Sequence, residues 1–300
     1  MHNDAEQAIV SIGNLDLYKN ISLKPFTGFN TGGNAAYLAA PHSARSFIEV
    51  ITTLRRQGQR FYILGNGSNV IAPDTQYDGW VVKTDKAFTD IIFDDDAVYC
   101  GAGVTLARMC RNCAEHGLSG LEFAYGIPGS VGGAVFMNAG AYGGEMKDVV
   151  VAVKVIDKDG SVLEIARADM EFGYRTSAIE KHGYIVIGAL FKLMRADKAE
   201  ILARMRGFMN SRAEKQPLDY PSCGSTFKRP AEGFASKLID ECGLRGVSVG
   251  GAAVSEKHCG FVINKGGATS ADVFALIKLV MDTVKEKTDI ILEKEIRILE

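Results

Sequence analysis

Proline is scarce in this chain of 300 residues, at 7, and tryptophan occurs once. So few prolines leave no room for an extended polyproline linker, and no tract is of low complexity. No stretch approaches the roughly 20 apolar residues that a membrane-spanning helix needs. The first ten residues carry His, Asn, Asp and Glu and lack an apolar core, so no secretory signal is expected there. Charge of one sign is also missing. Lys and Arg total 34 against 36 Asp and Glu, a net charge of -2, which gives no general attraction to nucleic acid or anionic membrane. Six cysteines without a signal peptide predict reduced thiols and a cytoplasmic protein.

Several familiar signatures are absent too. Gly65-Asn66-Gly67 and Gly101-Ala102-Gly103 each begin a G-x-G, but Val70 and Leu106 stand where the third glycine belongs, so there is no Rossmann fingerprint. No glycine-rich loop ends in Gly-Lys-Ser/Thr. Cys110-Arg111-Asn112-Cys113 lacks a second pair, and both cysteines lie on an apolar stripe, so packing rather than a metal site is expected. Gly246 to Gly250 fits G-x-S-x-G literally, yet it lacks the strand before and helix after that a nucleophile elbow requires.

Glycine is what the chain has in excess: 33 of 300 residues, against an average of about 7%. The glycines cluster at 126–144, 243–251 and 260–267, where backbone must turn tightly or approach a ligand closely. Around them, apolar spacing predicts helices at Ser43–Gln57, Thr105–His116, Lys198–Ser211, Phe234–Cys242 and Ala271–Lys287. Strands are expected at 61–64, 80–82, 97–100, 184–193 and 290–299, with a hairpin at 149–165 turning on Asp159-Gly160. A polar stretch with Pro217 and Pro221, residues 212–222, is expected to link two domains. Short strands alternating with helices, without an internal repeat, give an α+β class.

Two segments read as ligand sites. Leu64-Gly65-Asn66-Gly67-Ser68-Asn69 follows a strand with backbone N–H groups, a hydroxyl and two amides, a composition that suits a pyrophosphate without any lysine. The run from Gly126 to Gly144 is small and uncharged, with apolar interruptions unlike a flexible linker, and suits a flat cofactor lying against backbone. Ser225-Thr226-Phe227-Lys228 also matches the S-x-x-K of serine acyl-transferring enzymes, but S-D-N and K-T-G are missing.

Taken in order, Asn30-Thr31-Gly32-Gly33, Leu64 to Asn69, Gly101-Ala102-Gly103, the 126–144 run, Phe172 to Ser177, Gly224 to Lys228, Gly260 to Asn264 and Glu295-Ile296-Arg297 resemble the UDP-N-acetylenolpyruvoylglucosamine reductase family. The resemblance spans about Leu23 to Glu300. It implies an FAD-binding part of vanillyl-alcohol-oxidase type in two α+β subdomains, at 1–82 and 83–200, and a substrate domain at 212–289. Residues 290–300 would return to the first subdomain.

The resemblance also implies non-covalent FAD, NADPH as hydride donor, a UDP-sugar substrate, and a place in peptidoglycan synthesis, hence in cell shape and division. No metal, nucleic acid or membrane partner is expected, and the protein is expected to be a monomer. Arg175, Ser225 and Glu295 take the catalytic positions: carboxylate or enolate clamp, proton donor, and charge stabiliser. A bare serine is a poor acid, so Lys228 or a carboxyl is expected to assist Ser225. FAD contacts are expected from Leu64, Gly65, Asn66, Gly67, Ser68, Asn69, Ala102, Gly103, Gly126, Ile127, Pro128, Gly129, Ser130, Gly132, Gly133, Asn138, Ala139 and Gly140. Substrate contacts are expected from Tyr174, Lys228, Arg229 and Asn264.

Only about fifty residues separate Arg175 from Ser225, which marks the shorter family type without an inserted tyrosine lid. Arg229 and Lys294 stand where the family often has asparagine and proline, and both add charge that suits a diphosphate. A same-fold flavoprotein with another substrate and the S-x-x-K acyl transferase are the alternatives.

Overall fold

The computed structural model describes residues 2–300. The chain divides into two compact units. The first comprises the segment ending at Lys19, Tyr37–Asn66 and Gly79–Ser211; the second comprises Asn20–Ala36, Gly67–Asp78 and Arg212–Glu300.

Most of a four-stranded sheet belongs to the first unit, in the order Leu15–Ser22, Asn34–Pro41, Tyr77–Lys83, Phe61–Leu64. The last two strands run parallel, with Phe61 opposite Trp80 and Leu64 opposite Lys83. Parallel neighbours need a connection longer than a hairpin, and the chain supplies residues 65–76 for it. A five-stranded antiparallel sheet follows, ordered Val162–Ala166, Val150–Ile156, Ile185–Lys192, Ala97–Gly101, Ile91–Asp94. Its central strand Ile185–Lys192 is buried nearly throughout, while the edge strand Val162–Ala166 is mostly exposed.

The helix Ala44–Arg56 starts at a capping box, in which Ser43 accepts from the Ser46 N–H, and Gly58 follows its end at φ +61°. Leu106–Glu115 is capped by the Thr105 hydroxyl and buries Met109, Cys110 and Cys113. All six cysteines are free and buried. Burial pushes the Cys110 thiol well up and the Cys113 thiol to about 12, so neither supplies a thiolate nucleophile. Phe47, Trp80, Met109, Val153 and Phe191 lie in one core cluster, and Trp80 stacks on Tyr37 at 4.2 Å.

The second unit has its own core. A three-stranded antiparallel sheet, Ser248–Val249, Ala252–Val254 and Val262–Asn264, shares it with the helix Ser270–Thr288. That helix buries Val273, Leu276, Ile277, Val280 and Val284, a spacing that keeps one face inward. A short parallel pair, Val70–Ile71 with Arg297–Ile298, lies in the same unit.

Two expectations need correction, and one segment left without an assigned element is a helix. The polar stretch from Arg212 does not begin as a linker: the preceding helix runs Lys198–Lys215, because Arg212, Ala213, Glu214 and Lys215 are good helix formers and Pro217 comes too late to stop them earlier. The C-terminal strand is broken, pairing at Lys294 and again at Arg297–Ile298 rather than along 290–299. The glycine run contains a helix, Val131–Phe136, with Ser130 as its cap.

Candidate active site

Within the first unit, three of the expected cofactor segments converge. Gly129 accepts from the Leu106 N–H at 3.0 Å, Val131 donates to Val104 at 2.8 Å, and Gly132 donates to Ala102 at 2.9 Å, so Ala102–Gly103 lies alongside Gly129–Gly132. Asn66 joins them through its Nδ2, which donates to the Pro128 carbonyl at 2.8 Å. A Cβ placed on Gly65 would stand 2.5 Å from the Ser130 Oγ, and one on Gly132 would stand 2.9 Å from the Ala102 Cβ. Glycine is needed at both positions for the segments to meet. At Gly132 the close approach is to protein and not to an open face, which narrows what the glycine count alone implied.

This corner has unmet polar groups. The N–H groups of Gly65 and Asn66 meet no backbone carbonyl among the described residues. The Thr84 hydroxyl is buried without a hydrogen-bond partner, and it stands 4.0 Å from the Cβ position of Gly65. An unpaired buried hydroxyl costs about 1–3 kcal/mol, so a ligand oxygen supplying the bond would be stabilised there. Lys83, at the end of its strand, donates to the Gly65 carbonyl at 2.7 Å and lies 3.5 Å from Asp85. Burial pushes its ammonium below the ordinary lysine value, with Asp85 pulling it back. Donor groups around Gly65 with a buried cation behind them fit a phosphate-bearing cofactor such as FAD. Sequence reading expected no lysine here; the overlooked signal was a charged residue ending the apolar run Trp80-Val81-Val82.

Further along the run, the hairpin Gly140–Ala141 with Gly144–Glu145 carries Tyr142 and Gly143 at its tip, both in the left-handed region at φ +52° and +86°. Its Gly140 carbonyl accepts from the Arg175 guanidinium at 3.3 Å. Arg175 has φ +56° and its Cζ lies 5.0 Å from the centroid of the Tyr174 ring. Tyr174 is exposed and Arg175 half-buried. Asn138 differs from expectation: its buried amide is spent on Glu145, on the Gly173 carbonyl and on the Lys147 N–H, all protein groups. Ala139 donates to Ala134 and accepts from Met146 through its backbone.

The second unit holds the other expected residues. An antiparallel bridge between Phe227 and Lys294 aligns the Ser225 segment with the Glu295 segment. Glu295 donates its N–H to the Thr226 carbonyl at 2.9 Å, and Lys228 donates its own to Glu293 at 2.8 Å. Thr226, fully buried, secures the ladder from the other side: its Oγ1 accepts from the Val262 N–H at 3.0 Å. Asn69 joins the same assembly by donating Nδ2 to the Glu295 carbonyl at 3.1 Å, and Gly67 accepts from Gly28 and Val70. Ser225 itself is exposed.

Lys228 directs its ammonium to Glu293 at 3.1 Å. Arg229 lies over the Phe234 ring at 4.4 Å. Asn264 is 8% exposed, and its amide donates to the Phe29 carbonyl while accepting from Gly266 and Ala268. Its side chain shapes a turn and is not turned to a substrate as expected. Among the described residues there is no group of three or more His, Cys, Asp or Glu that could hold a metal, and no helix long and apolar enough to cross a membrane.

Known proteins show which family the chain resembles over its length. Residues 35–166 match the FAD binding domain family, and residues 216–299 match the family described as UDP-N-acetylenolpyruvoylglucosamine reductase, C-terminal domain. The reductase of that name from Clostridium botulinum (strain 657 / Type Ba4) is 46% identical over 288 residues, 96% of this chain and 94% of the relative. The one from Caldicellulosiruptor bescii is 44% identical over 287 residues, covering 95% and 91%. The crystal structure of the Thermus caldophilus enzyme superposes with a TM-score of 0.78 at 34% identity, covering 95% of this chain and 99% of that one. With near-complete coverage of both partners, the chain belongs to the UDP-N-acetylenolpyruvoylglucosamine reductase family.

Proposed function

We propose that this chain carries out its family's reaction, the NADPH- and FAD-dependent reduction of UDP-N-acetylglucosamine enolpyruvate to UDP-N-acetylmuramate, and that Arg175, Ser225 and Glu295 are the groups that work on the substrate. The observation that carries the residue assignment is the Phe227–Lys294 bridge, which aligns the segments of Ser225 and Glu295 although they are far apart in sequence.

FAD, when bound, supplies the hydride it has taken from NADPH to the methylene carbon of the enolpyruvyl group. The electron pair of the double bond then gathers on the carbon beside the carboxylate. Arg175 offers a permanent cation with a planar fork of donors, which stabilises that carboxylate and the enolate character it acquires. Ser225 gives its hydroxyl proton to the α-carbon, completing the addition of one hydride and one proton. Glu295 stabilises or relays charge beside it.

In the block expected to hold FAD, residues 1–200, the corner of Gly65, Asn66, Thr84 and Ser130 takes the phosphates, and residues Gly126 to Gly133 with Ala102–Gly103 form its wall. The block 212–289 takes the UDP-sugar. Lys228 and Arg229 suit its diphosphate. The Lys228–Glu293 pair is a partly exposed ion pair, with side chains 37% and 70% exposed, and such pairs are worth about 0–1 kcal/mol, so little is lost when the lysine turns to a phosphate. The acyl-transferase alternative lacks the S-D-N and K-T-G motifs that its chemistry needs beside S-x-x-K. On this reading the protein serves peptidoglycan precursor synthesis, and a cytoplasmic location and a monomeric state are part of the proposal.

Purified protein is expected to be yellow, to bleach with NADPH, and to recover its colour on adding UDP-N-acetylglucosamine enolpyruvate. Colourless protein with no affinity for added FAD would sink the proposal. Bleaching without recovery on substrate would point to a same-fold flavoprotein with a different substrate.

A further inference from the structure

Arg175 sits in a turn closed by two backbone hydrogen bonds, the Gly173 N–H to the Thr176 carbonyl at 3.1 Å and the Thr176 N–H to the Gly173 carbonyl at 3.4 Å. At φ +56° the arginine occupies a conformation that costs a side-chain-bearing residue roughly 1–2 kcal/mol. Such a backbone persists only where its surroundings determine it.

Those surroundings are the far end of the glycine-rich run. Asn138 is wholly buried. Its Nδ2 donates to the Gly173 carbonyl and to the Glu145 Oε2, each at 2.9 Å, and its Oδ1 accepts from the Lys147 N–H at 2.9 Å. Both amide hydrogens and the amide oxygen are engaged, so the group cannot rotate without losing bonds in a buried place. On the other side of the turn, the Ser177 hydroxyl donates to the Phe136 carbonyl at 2.8 Å. Glu145 is itself held by Lys147 at 2.8 Å.

We propose that Asn138, braced by Glu145, is a positioning residue for Arg175: its buried amide sets the placement of the Gly173–Thr176 turn and with it the guanidinium. This rests on the reading above, in which Arg175 acts on the enolpyruvyl carboxylate. Asn138 would then serve the reaction without touching FAD or substrate.

Asn138→Gly is the decisive variant, because glycine keeps the φ of +42° found at this position. In the FAD-loaded enzyme, flavin bleaching by NADPH and recolouring by substrate are timed separately in stopped flow, and FAD affinity is titrated by fluorescence. The expected result is unchanged FAD affinity, bleaching within about threefold of wild type, and recolouring slowed roughly 10²-fold, the scale of a misplaced group. Recolouring at the wild-type rate would overturn the proposal. So would a parallel loss of FAD affinity and of both half-reactions, which would make Asn138 a cofactor contact or a scaffold residue.

Should Asn138→Gly fail to fold, Glu145→Ala, at a partly exposed position, decides: a selective slowing of recolouring supports the brace, and none overturns it. Arg175→Ala separates the two readings. Wild-type recolouring there would remove Arg175 from the reaction. Slow recolouring there, with normal recolouring in Asn138→Gly, would overturn only the positioning role.

Discussion

The two units hold their candidate residues by opposite means. In the second, Ser225 and Glu295 lie on segments joined by ordinary antiparallel pairing and secured by the buried Thr226 hydroxyl. In the first, Arg175 sits in a left-handed conformation on a short turn, held by the Asn138 side chain from a separate stretch and by the Ser177 hydroxyl on the Phe136 carbonyl. Regular pairing tolerates a change of side chain, because the backbone makes the bonds. A strained turn stores its geometry in a few side-chain bonds, and changes there travel to the site.

Removing Ser225 tests that contrast hardest. Ser225→Ala is expected to slow substrate-dependent recolouring of reduced flavin by about 10²–10⁴-fold, while an exposed side chain leaves the melting midpoint nearly unchanged. A large drop in the midpoint would show that Ser225 supports the ladder. The cores come next. Trp80→Ala in the first unit is expected to cost about 3–5 kcal/mol and Leu276→Ala in the second about 2–5 kcal/mol, read from denaturant midpoints. A loss under 1 kcal/mol at either would contradict the complete burial of both residues.

Glu122 gives a pH test confined to the first unit. Burial works to raise its carboxyl, but hydrogen bonds from Arg204, from its own N–H and Gly120's, and from Ser119 outweigh that and hold it below the ordinary value of 4.5. The stabilisation is therefore complete above about pH 4.5 and is lost as the pH falls through the lower folded value. Glu122→Gln is expected to cost about 1.5–3 kcal/mol at pH 7 and to flatten the acid limb of stability against pH. An unchanged acid limb would assign that limb to other carboxylates.

The smallest expected change in stability separates strain from support. Arg175→Gly should abolish recolouring yet raise stability by about 1 kcal/mol, since glycine adopts the left-handed backbone freely. Net destabilisation would mean that the contacts of Arg175 outweigh the strain, and the contrast between the two units would soften.

Local signals in the sequence were enough for the helices Ala44–Arg56 and Leu106–Glu115, since Ser43, Thr105 and Gly58 are caps that act within a turn of their own position. They were not enough for Val131–Phe136, where paired glycines argue against a helix and its neighbours Ala102 and Val104 supply the support. Arg175, Ser225 and Glu295 were named as candidates by resemblance, because an arginine after Gly-Tyr or a glutamate in a charged tail has nothing locally unusual about it. Lys83 and Thr84 escaped notice because their significance lies in their approach to Gly65, nearly twenty residues earlier in the chain. Asn138 was expected to contact FAD, and its side-chain amide is engaged by Glu145, Gly173 and Lys147.

The approach of Gly65 to Ser130 has a consequence for how this chain can vary. Between them the two positions have room for one hydroxymethyl group, and Ser130 fills it. A side chain gained at 65 must be answered by one lost at 130, and the loss removes the cap of the helix Val131–Phe136. Position 65 is therefore tied to position 130, and a side chain there comes at the expense of the helix's cap.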